Sequence, residues 1–221
     1  MRKEGYSMIF DGHSDIFSDV RYKREAGETQ VLKNHHLDRL RKGGIGGACF
    51  VIWADTYNGH APKDEMEAIV KGIKGEMAET KEFVLIHNVE ELKAAEAAGK
   101  FAILLGIEGL AGIGEDLSKI DELYDLGARH AMLTWNEENA LATGVKGDPN
   151  RGVTELGKQA IKKLQEKKMI LDVSHINEKS FWDVIDLATG PILASHSNAK
   201  ALASAARNLT DDQLRAIRDT N

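Results

Sequence analysis

The sequence has little of what several specialised protein classes require. Its 221 residues include one cysteine, Cys49, so no internal disulfide can form and a reducing compartment is favoured. No block of Lys or Arg stands out and the net charge is -6, which disfavours a nucleic-acid partner or an anionic membrane surface. The longest apolar stretch, residues 101–114, is interrupted by Glu108 and is too short to span a bilayer.

The chain also lacks the features that mark export or division into domains. Residues 1–10 carry no apolar segment of the kind found in secretory signals. Only 3 prolines are present, and no low-complexity linker separates two halves. Hydrophobic residues make up 42% and charged residues 29%, an ordinary globular balance. We therefore expect a cytoplasmic protein with no membrane partner, whose residues 1–221 form a single domain.

Short apolar runs alternate along the chain with longer amphipathic stretches. The runs are near-continuous rather than alternating, which is typical of parallel strands buried on both faces. The predicted strands cover residues 8–10, 48–53, 101–107, 131–135, 169–173 and 191–194. Helical patterns lie around residues 37–41 and over 65–83, 89–98, 117–126, 154–167 and 178–187. This repetition of strand and helix predicts six βα units in a parallel α/β fold.

Repeated βα units fit either a closed eight-stranded barrel or an open doubly wound sheet. A nucleotide-binding open sheet usually has a Gly-rich turn after its first strand, where this chain has Asp11-Gly12-His13-Ser14-Asp15. The glycine run at residues 43–47 precedes a strand, and residues 106–114 lack the Lys-Ser/Thr of a phosphate-binding loop. The barrel is therefore favoured, and a nucleotide-binding module is the weaker alternative.

Polar residues of metal-ligand type recur at the ends of the predicted strands. The carboxyl ends of parallel strands meet at one face, where barrel enzymes place their active sites. Imidazole and carboxylate ligands suit zinc or a similar divalent ion. Three histidines and two carboxylates exceed one tetrahedral site and suit two metals that share a carboxylate, with an open position for water. The five candidates are His13, Asp15, Glu108, His175 and His196. His87 and His130 are assigned structural roles at the starts of elements.

These motifs, taken in order, resemble the membrane (renal) dipeptidase family of the amidohydrolase superfamily, in particular its bacterial cytosolic branch. The resemblance covers essentially the whole chain and implies a TIM-type (β/α)8 barrel. The segments that carry it are residues 11–15, 106–109, 148–157, 172–175, 194–198 and 206–211.

The resemblance also implies the metal assignment and the reaction. His13 and Asp15 would bind one Zn²⁺, His175 and His196 the other, and Glu108 would bridge them. A hydroxide between the metals would attack the peptide bond of L,L and possibly L,D dipeptides. Other divalent metals could replace zinc at such ligands.

Substrate contacts and assembly follow from the same resemblance. Arg207 matches the arginine that reads substrate charge, and a guanidinium fork suits a terminal carboxylate. Trp135 stands where the animal enzymes carry a substrate-facing histidine, and it could supply an indole N–H or an apolar wall. Family members commonly pair, so a homodimer is possible.

Besides Trp135, the sequence departs from the family pattern at its end. The family continues with two more strands and an Asp that is expected to act as general base and acid. The resemblance thus implies that the 221-residue sequence, with its six βα units, lacks the last two strands of the barrel. A fragment of a longer product, a truncated gene and a barrel completed by another chain all fit this expectation. None of Asp211, Asp212 and Asp219 is expected to replace the missing Asp.

Three functions remain open at this point. The first is a binuclear zinc dipeptidase in which Glu108 and Arg207 take part in catalysis. The second is a catalytically impaired, metal-binding fragment or pseudoenzyme of the same family. The third is an amidohydrolase acting on a cyclic amide or an ester. The match at Arg207 weighs against the third, because a group that reads a carboxylate suits the end of a peptide.

Overall fold

The computed structural model describes residues 8–54 and 59–220 of the chain. Seven parallel strands form one sheet in the order β1-β2-β4-β5-β6-β7. The seventh, β3, pairs with the first residues of β4, along the edge where β5 pairs farther on. The strands are β1 (Ile9–Ser14), β2 (Ile45–Trp53), β3 (Phe83–Leu85), β4 (Phe101–Glu108), β5 (Ala128–Met132), β6 (Ile170–Asp172) and β7 (Ile192–Leu193).

Helices connect the strands and cover the outside of the sheet, as in a partial TIM-type barrel. Within residues 8–54 and 59–220, no helix is both long enough and apolar enough to cross a membrane. The helices are α1 (Ile16–Glu25), α2 (Asp38–Lys42, after a π-helical turn at Leu32–Leu37), α3 (Pro62–Glu79), α4 (Val89–Ala97), α5 (Lys119–Leu126), α6 (Glu155–Glu166), α7 (Glu178–Leu187) and α8 (Asp211–Asp219).

Several predicted helix ends are confirmed. The Thr154 side chain accepts a hydrogen bond from the backbone N–H of Gly157 and caps α6. Gly127 ends α5 at a φ of 119° and Gly99 follows α4 at 64°, in the left-handed region that favours glycine. The central strands are buried on both faces, as the near-continuous apolar runs predicted.

Two elements of the fold were not predicted. Helix α1 follows β1 directly, but only Phe17 and Val20 give its buried face an apolar pattern. Strand β3 falls partly within the helix predicted over residues 65–83, which instead ends at Glu79. There Thr80 takes an extended conformation, and the chain turns into a strand of three residues. So short a strand carries no periodic signal.

The sheet brings its carboxyl-end residues to one side. In the β2–β4 pairing Trp53 lies opposite Glu108, the last residue of β4. The β1–β2 pairing matches Asp11 with Ala48 and Ser14 with Phe50, so β1 has one extra residue between them. This bulge lies at Gly12 and His13, and bulges commonly redirect a side chain beside an active site.

Candidate metal centre

Four of the five candidate residues meet around the carboxylate of Glu108. His13 Nε2 lies 3.2 Å from Glu108 Oε2. The other oxygen, Oε1, lies 2.8 Å from His175 Nε2 and 3.5 Å from His196 Nε2. One oxygen of this buried carboxylate therefore faces His13, and the other faces His175 and His196.

The fifth candidate, Asp15, lies at the rim of the cluster. Its Oδ1 atom is 3.7 Å from His13 Nε2, and its side chain is 51% exposed. It shares the N-terminal side of the site with His13, on the Oε2 side of Glu108.

Ring contacts join the two ends of the sheet. The His13 and His196 rings stack with centroids 3.8 Å apart, although β1 and the turn after β7 belong to opposite sheet edges. A Cβ added at Gly12 would lie 3.5 Å from the carbonyl oxygen of Ser195. The sheet is therefore curled enough for its first and last described strands to supply one site.

Local backbone geometry aims the histidines at this point. His175 follows β6 at a φ of 71°, in the left-handed region that costs a non-glycine residue about 1–2 kcal/mol. Its Nδ1 lies 3.0 Å from Asn136 Oδ1, and His196 Nδ1 lies 2.8 Å from the Ser195 hydroxyl. These contacts leave the two Nε2 atoms facing Glu108, and such bonds to the far nitrogen commonly orient metal-binding histidines.

The electrostatics of the cluster favour a bound cation. Burial opposes the charge on Glu108, but hydrogen bonds from His13, His175 and His196 outweigh it and hold its pKa well below the usual range. Burial also opposes protonation of His13, yet its contacts with Asp15 and Glu108 raise its pKa to about 9. Burial lowers the pKa of His175, which favours the neutral imidazole that a metal binds.

The donor set fits divalent metal. The Nε2 atoms of His175 and His196 face each other at 2.8 Å, where one cation would satisfy both lone pairs. One ligand atom from each of His13, Glu108 and His196 lies within 4.8 Å of the others. His13 Nδ1 is buried and makes no hydrogen bond to the described part of the chain. Nitrogen and carboxylate oxygen in this arrangement suit zinc and its neighbours in the first transition series.

Arg207 and Trp135 flank the cluster. An Nη2 hydrogen of Arg207 is donated to the carbonyl of His196 at 2.8 Å. Its buried Nε makes no hydrogen bond within residues 8–54 and 59–220. Burial lowers the Arg207 pKa, while the charges of Glu108 and Asp172 oppose that change. The Trp135 ring lies 6.1 Å from the His175 ring and 5.2 Å from that of Trp53.

A cavity of about 290 Å³ opens beside Trp135. Its lining includes Gly109, Trp135, Glu137 and Glu138. Its volume lies at the small end of ligand pockets, which suits a small substrate.

Sequence reasoning missed the residues that orient the ligands. Asn136 forms a hydrogen bond with His175 Nδ1, and Ser195 forms one with His196 Nδ1. Both are polar residues just after predicted strands, so their positions gave a signal. Nothing in the sequence, however, pairs Asn136 with a histidine 39 residues away.

Comparisons with known proteins agree with the motifs. The family model for membrane dipeptidase, peptidase family M19, matches residues 5–221. The chain is 30% identical over 243 residues to an Acinetobacter calcoaceticus protein named "Uncharacterized protein in PQQ-III 3′region", which covers 96% of this chain and 77% of that protein. A Klebsiella pneumoniae protein named for the pqqA 5′ region is 43% identical over 60% of this chain and 50% of its own length.

Solved structures show the same fold. A metallopeptidase from Rhodobacter sphaeroides, bound to a phosphinate mimic of the dipeptide L-Ala-D-Ala, superposes with a TM-score of 0.86 at 25% identity. The match covers 98% of this chain and 72% of that one. A probable dipeptidase from Pseudomonas aeruginosa gives a TM-score of 0.77 at 28% identity, over 83% of this chain and 50% of the other.

Proposed function

The chain belongs to the membrane dipeptidase family of metallopeptidases, and we propose that it hydrolyses dipeptides at a binuclear zinc centre. In this proposal His13 and Asp15 would hold one ion, His175 and His196 would hold the other, and Glu108 would serve both. The proposal is supported most by one observation. The two oxygens of Glu108 face different histidines, with His13 on one side and His175 and His196 on the other.

The chemistry divides between the metals and the protein. Bound divalent ions lower the pKa of water and polarise the scissile carbonyl. Glu108 would supply a negative charge to both ions and offset part of their positive charge. Arg207 has a guanidinium fork that suits the carboxylate at the end of a dipeptide. Trp135 forms an apolar wall of the cavity that would receive a substrate side chain.

The Rhodobacter sphaeroides structure supports the substrate class, because its ligand mimics a dipeptide with a D-residue at the C-terminal position. We propose that this chain accepts L,L and L,D dipeptides. The test is hydrolysis by zinc-loaded protein of L-Ala-L-Ala, L-Ala-D-Ala and the matching dipeptide amides. The proposal predicts cleavage of the free acids and weak cleavage of the amides, which lack the carboxylate.

Two outcomes would overturn this function. Bound zinc without cleavage of any dipeptide would favour a metal-binding member without turnover. Preferred cleavage of a cyclic amide or an ester would favour another amidohydrolase activity.

The buried Cys49 favours a cytoplasmic location for the protein, and fractionation of cells tests it. We propose a homodimer because family members commonly pair, and light scattering tests this oligomeric state.

A further inference from the structure

We propose that Asp172 and His130 form a positioning pair that sets the metal affinity of the His175/His196 half of the centre. This inference rests on the proposed binuclear site. Neither residue is proposed to touch metal or substrate. Both are buried below the candidate ligands, with Asp172 1% exposed and His130 fully buried.

One carboxylate holds both of the turns that carry these histidines. Asp172, the last residue of β6, accepts a hydrogen bond from the backbone N–H of Ser174 at 2.7 Å. Its other oxygen accepts from the backbone N–H of Ser195 at 3.2 Å. Ser174 and Ser195 directly precede His175 and His196. A shift of the Asp172 carboxylate therefore moves both ligand-bearing turns.

The first of these turns needs such support. His175 has a φ of 71°, a conformation that persists in a non-glycine residue only where its surroundings enforce it. The bond from Ser174 N–H to Asp172 lies one residue before it. The Ser174 hydroxyl also accepts from the backbone N–H of His196 at 3.3 Å, which couples the two turns directly.

His130 fixes the carboxylate from the neighbouring strand. Its Nε2 lies 2.7 Å from Asp172 Oδ2 and donates the third hydrogen bond to that group. A buried carboxylate without a charged or hydrogen-bonded partner is strongly destabilising, so the imidazole keeps Asp172 in place. Gly106 on β4 leaves the space for it, because an added Cβ there would lie 2.6 Å from His130 Nδ1.

The contacts are confined to one half of the centre. Asp172 bonds to the turns after β6 and β7, whereas His13 lies on β1 and Asp15 at the start of α1, on the other side of Glu108. A purely structural role would affect both halves alike. A positioning role predicts weaker binding of the ion held by His175 and His196 and unchanged binding of the other.

The experiment compares Zn²⁺ affinities by chelator competition and Co²⁺ spectra in the wild type, His130→Leu and His130→Gln. We expect His130→Leu to weaken one of two ions by about 10–100-fold, the usual effect of removing a residue that supports a metal ligand. Gln keeps an N–H donor and is expected to restore most of that affinity. Asp172→Asn, with one acceptor oxygen for three donors, supplies the same comparison if His130→Leu does not fold.

Two further variants make the result specific. Leu171→Ala creates a cavity next to Asp172 on β6 but keeps the carboxylate, so it should lower stability and spare both ions. In a His13→Ala background only the His175/His196 half remains, and His130→Leu is expected to weaken binding of that remaining ion by about 10–100-fold.

The outcomes separate the inference from the function on which it rests. A wild-type protein that does not bind two ions overturns the proposed function, and this inference with it. A wild type with two ions and a His130→Leu variant with unchanged affinities overturns the inference alone. Equal weakening of both ions, as a general loss of structure would cause, also overturns it.

Discussion

At the scale of single residues, the site is organised around a carboxylate that is 4% exposed and faces three imidazoles. The identity of this residue and of the histidines could be predicted from the sequence, because polar ligand types at strand ends have no packing explanation. The partners Asn136 and Ser195 could not be predicted, because their bonds to His175 and His196 depend on how separate turns approach in space.

Replacement of Glu108 by Gln is expected to weaken metal binding by about 100-fold or more and to abolish hydrolysis. The amide removes the negative charge that the proposed centre offers to both ions, and a carboxylate is a far better ligand for a divalent metal than a neutral amide. Zinc affinity by chelator competition measures the change. Glu137→Gln, at an exposed position near the cavity, is the control and should bind zinc as the wild type does.

Replacement of Arg207 by Lys is expected to raise KM for free dipeptides by about 10–100-fold, with a smaller effect on kcat. Lysine keeps the charge but loses the planar fork that binds a carboxylate with two hydrogen bonds. Dipeptide amides give the internal control, because their cleavage should change little. An equal effect on acids and amides would contradict a carboxylate-reading role.

At the scale of elements, the long apolar strands and the capped helices could be predicted, whereas α1 and β3 could not. For α1 and the turn after it, stability comes from contacts distant in sequence. Glu76 on α3 is fully buried and accepts hydrogen bonds from the backbone N–H groups of Val31 and Leu32, at 3.0 and 2.9 Å. It also pairs with Arg24, in the last turn of α1, at 2.6 Å. No local pattern reveals such a contact over 45 residues.

Glu76→Gln is therefore expected to destabilise the fold by about 2–4 kcal/mol, because a buried ion pair loses one partner. Urea unfolding followed by circular dichroism measures the difference. Glu67→Gln on the exposed face of the same helix is the matched control, with an expected change within about 0.5 kcal/mol. A small effect at Glu76 would contradict its role in holding the turn at residues 31–32.

The β5–β6 pair predicts a pH dependence of stability. Burial disfavours the charged His130, but its hydrogen bond to Asp172 and the negative charge of that carboxylate raise its pKa from 6.5 to about 10. Burial likewise opposes the charge on Asp172, and His130 and the N–H groups of Ser174 and Ser195 lower its pKa to about 2. Arg207 is the further charge that acts on Asp172.

A raised histidine pKa stabilises the fold fully below pH 6.5, and this contribution is lost as the pH rises through about 10. The free energy of unfolding of the metal-free protein should therefore fall from pH 6 to pH 9.5 more steeply in the wild type than in His130→Gln. Urea titrations at both pH values measure it. Parallel pH profiles for the two proteins would contradict a charged His130.

At the scale of the whole molecule, the sheet has β1 and β7 at its edges in the described part of the chain, yet their carboxyl ends meet at the stacked rings of His13 and His196. The parallel barrel type could be predicted from the repetition of strands and helices. The degree of curling could not, because it depends on the twist of strand pairs and on the bulge in β1.

Metals bound at this junction would join β1, β4 and the turns after β6 and β7. Zinc at 100 times its Kd should stabilise the folded state by about 2.7 kcal/mol for each ion bound. For a chain of this size we expect an increase in Tm of about 5–10 °C per bound ion over the chelator-treated protein. Differential scanning calorimetry measures it, and magnesium serves as a control because it prefers six oxygen ligands. An unchanged Tm with zinc would contradict a metal that joins these strands.

The binuclear centre is tested most directly by the zinc content of the purified chain, measured by elemental analysis after dialysis, alongside that of His13→Ala and His196→Ala. The proposed site predicts two zinc ions per wild-type chain and about one in each variant, because each substitution removes a ligand from a different half. A wild-type chain that holds no zinc, or variants that both keep two ions, would contradict a centre assembled around Glu108.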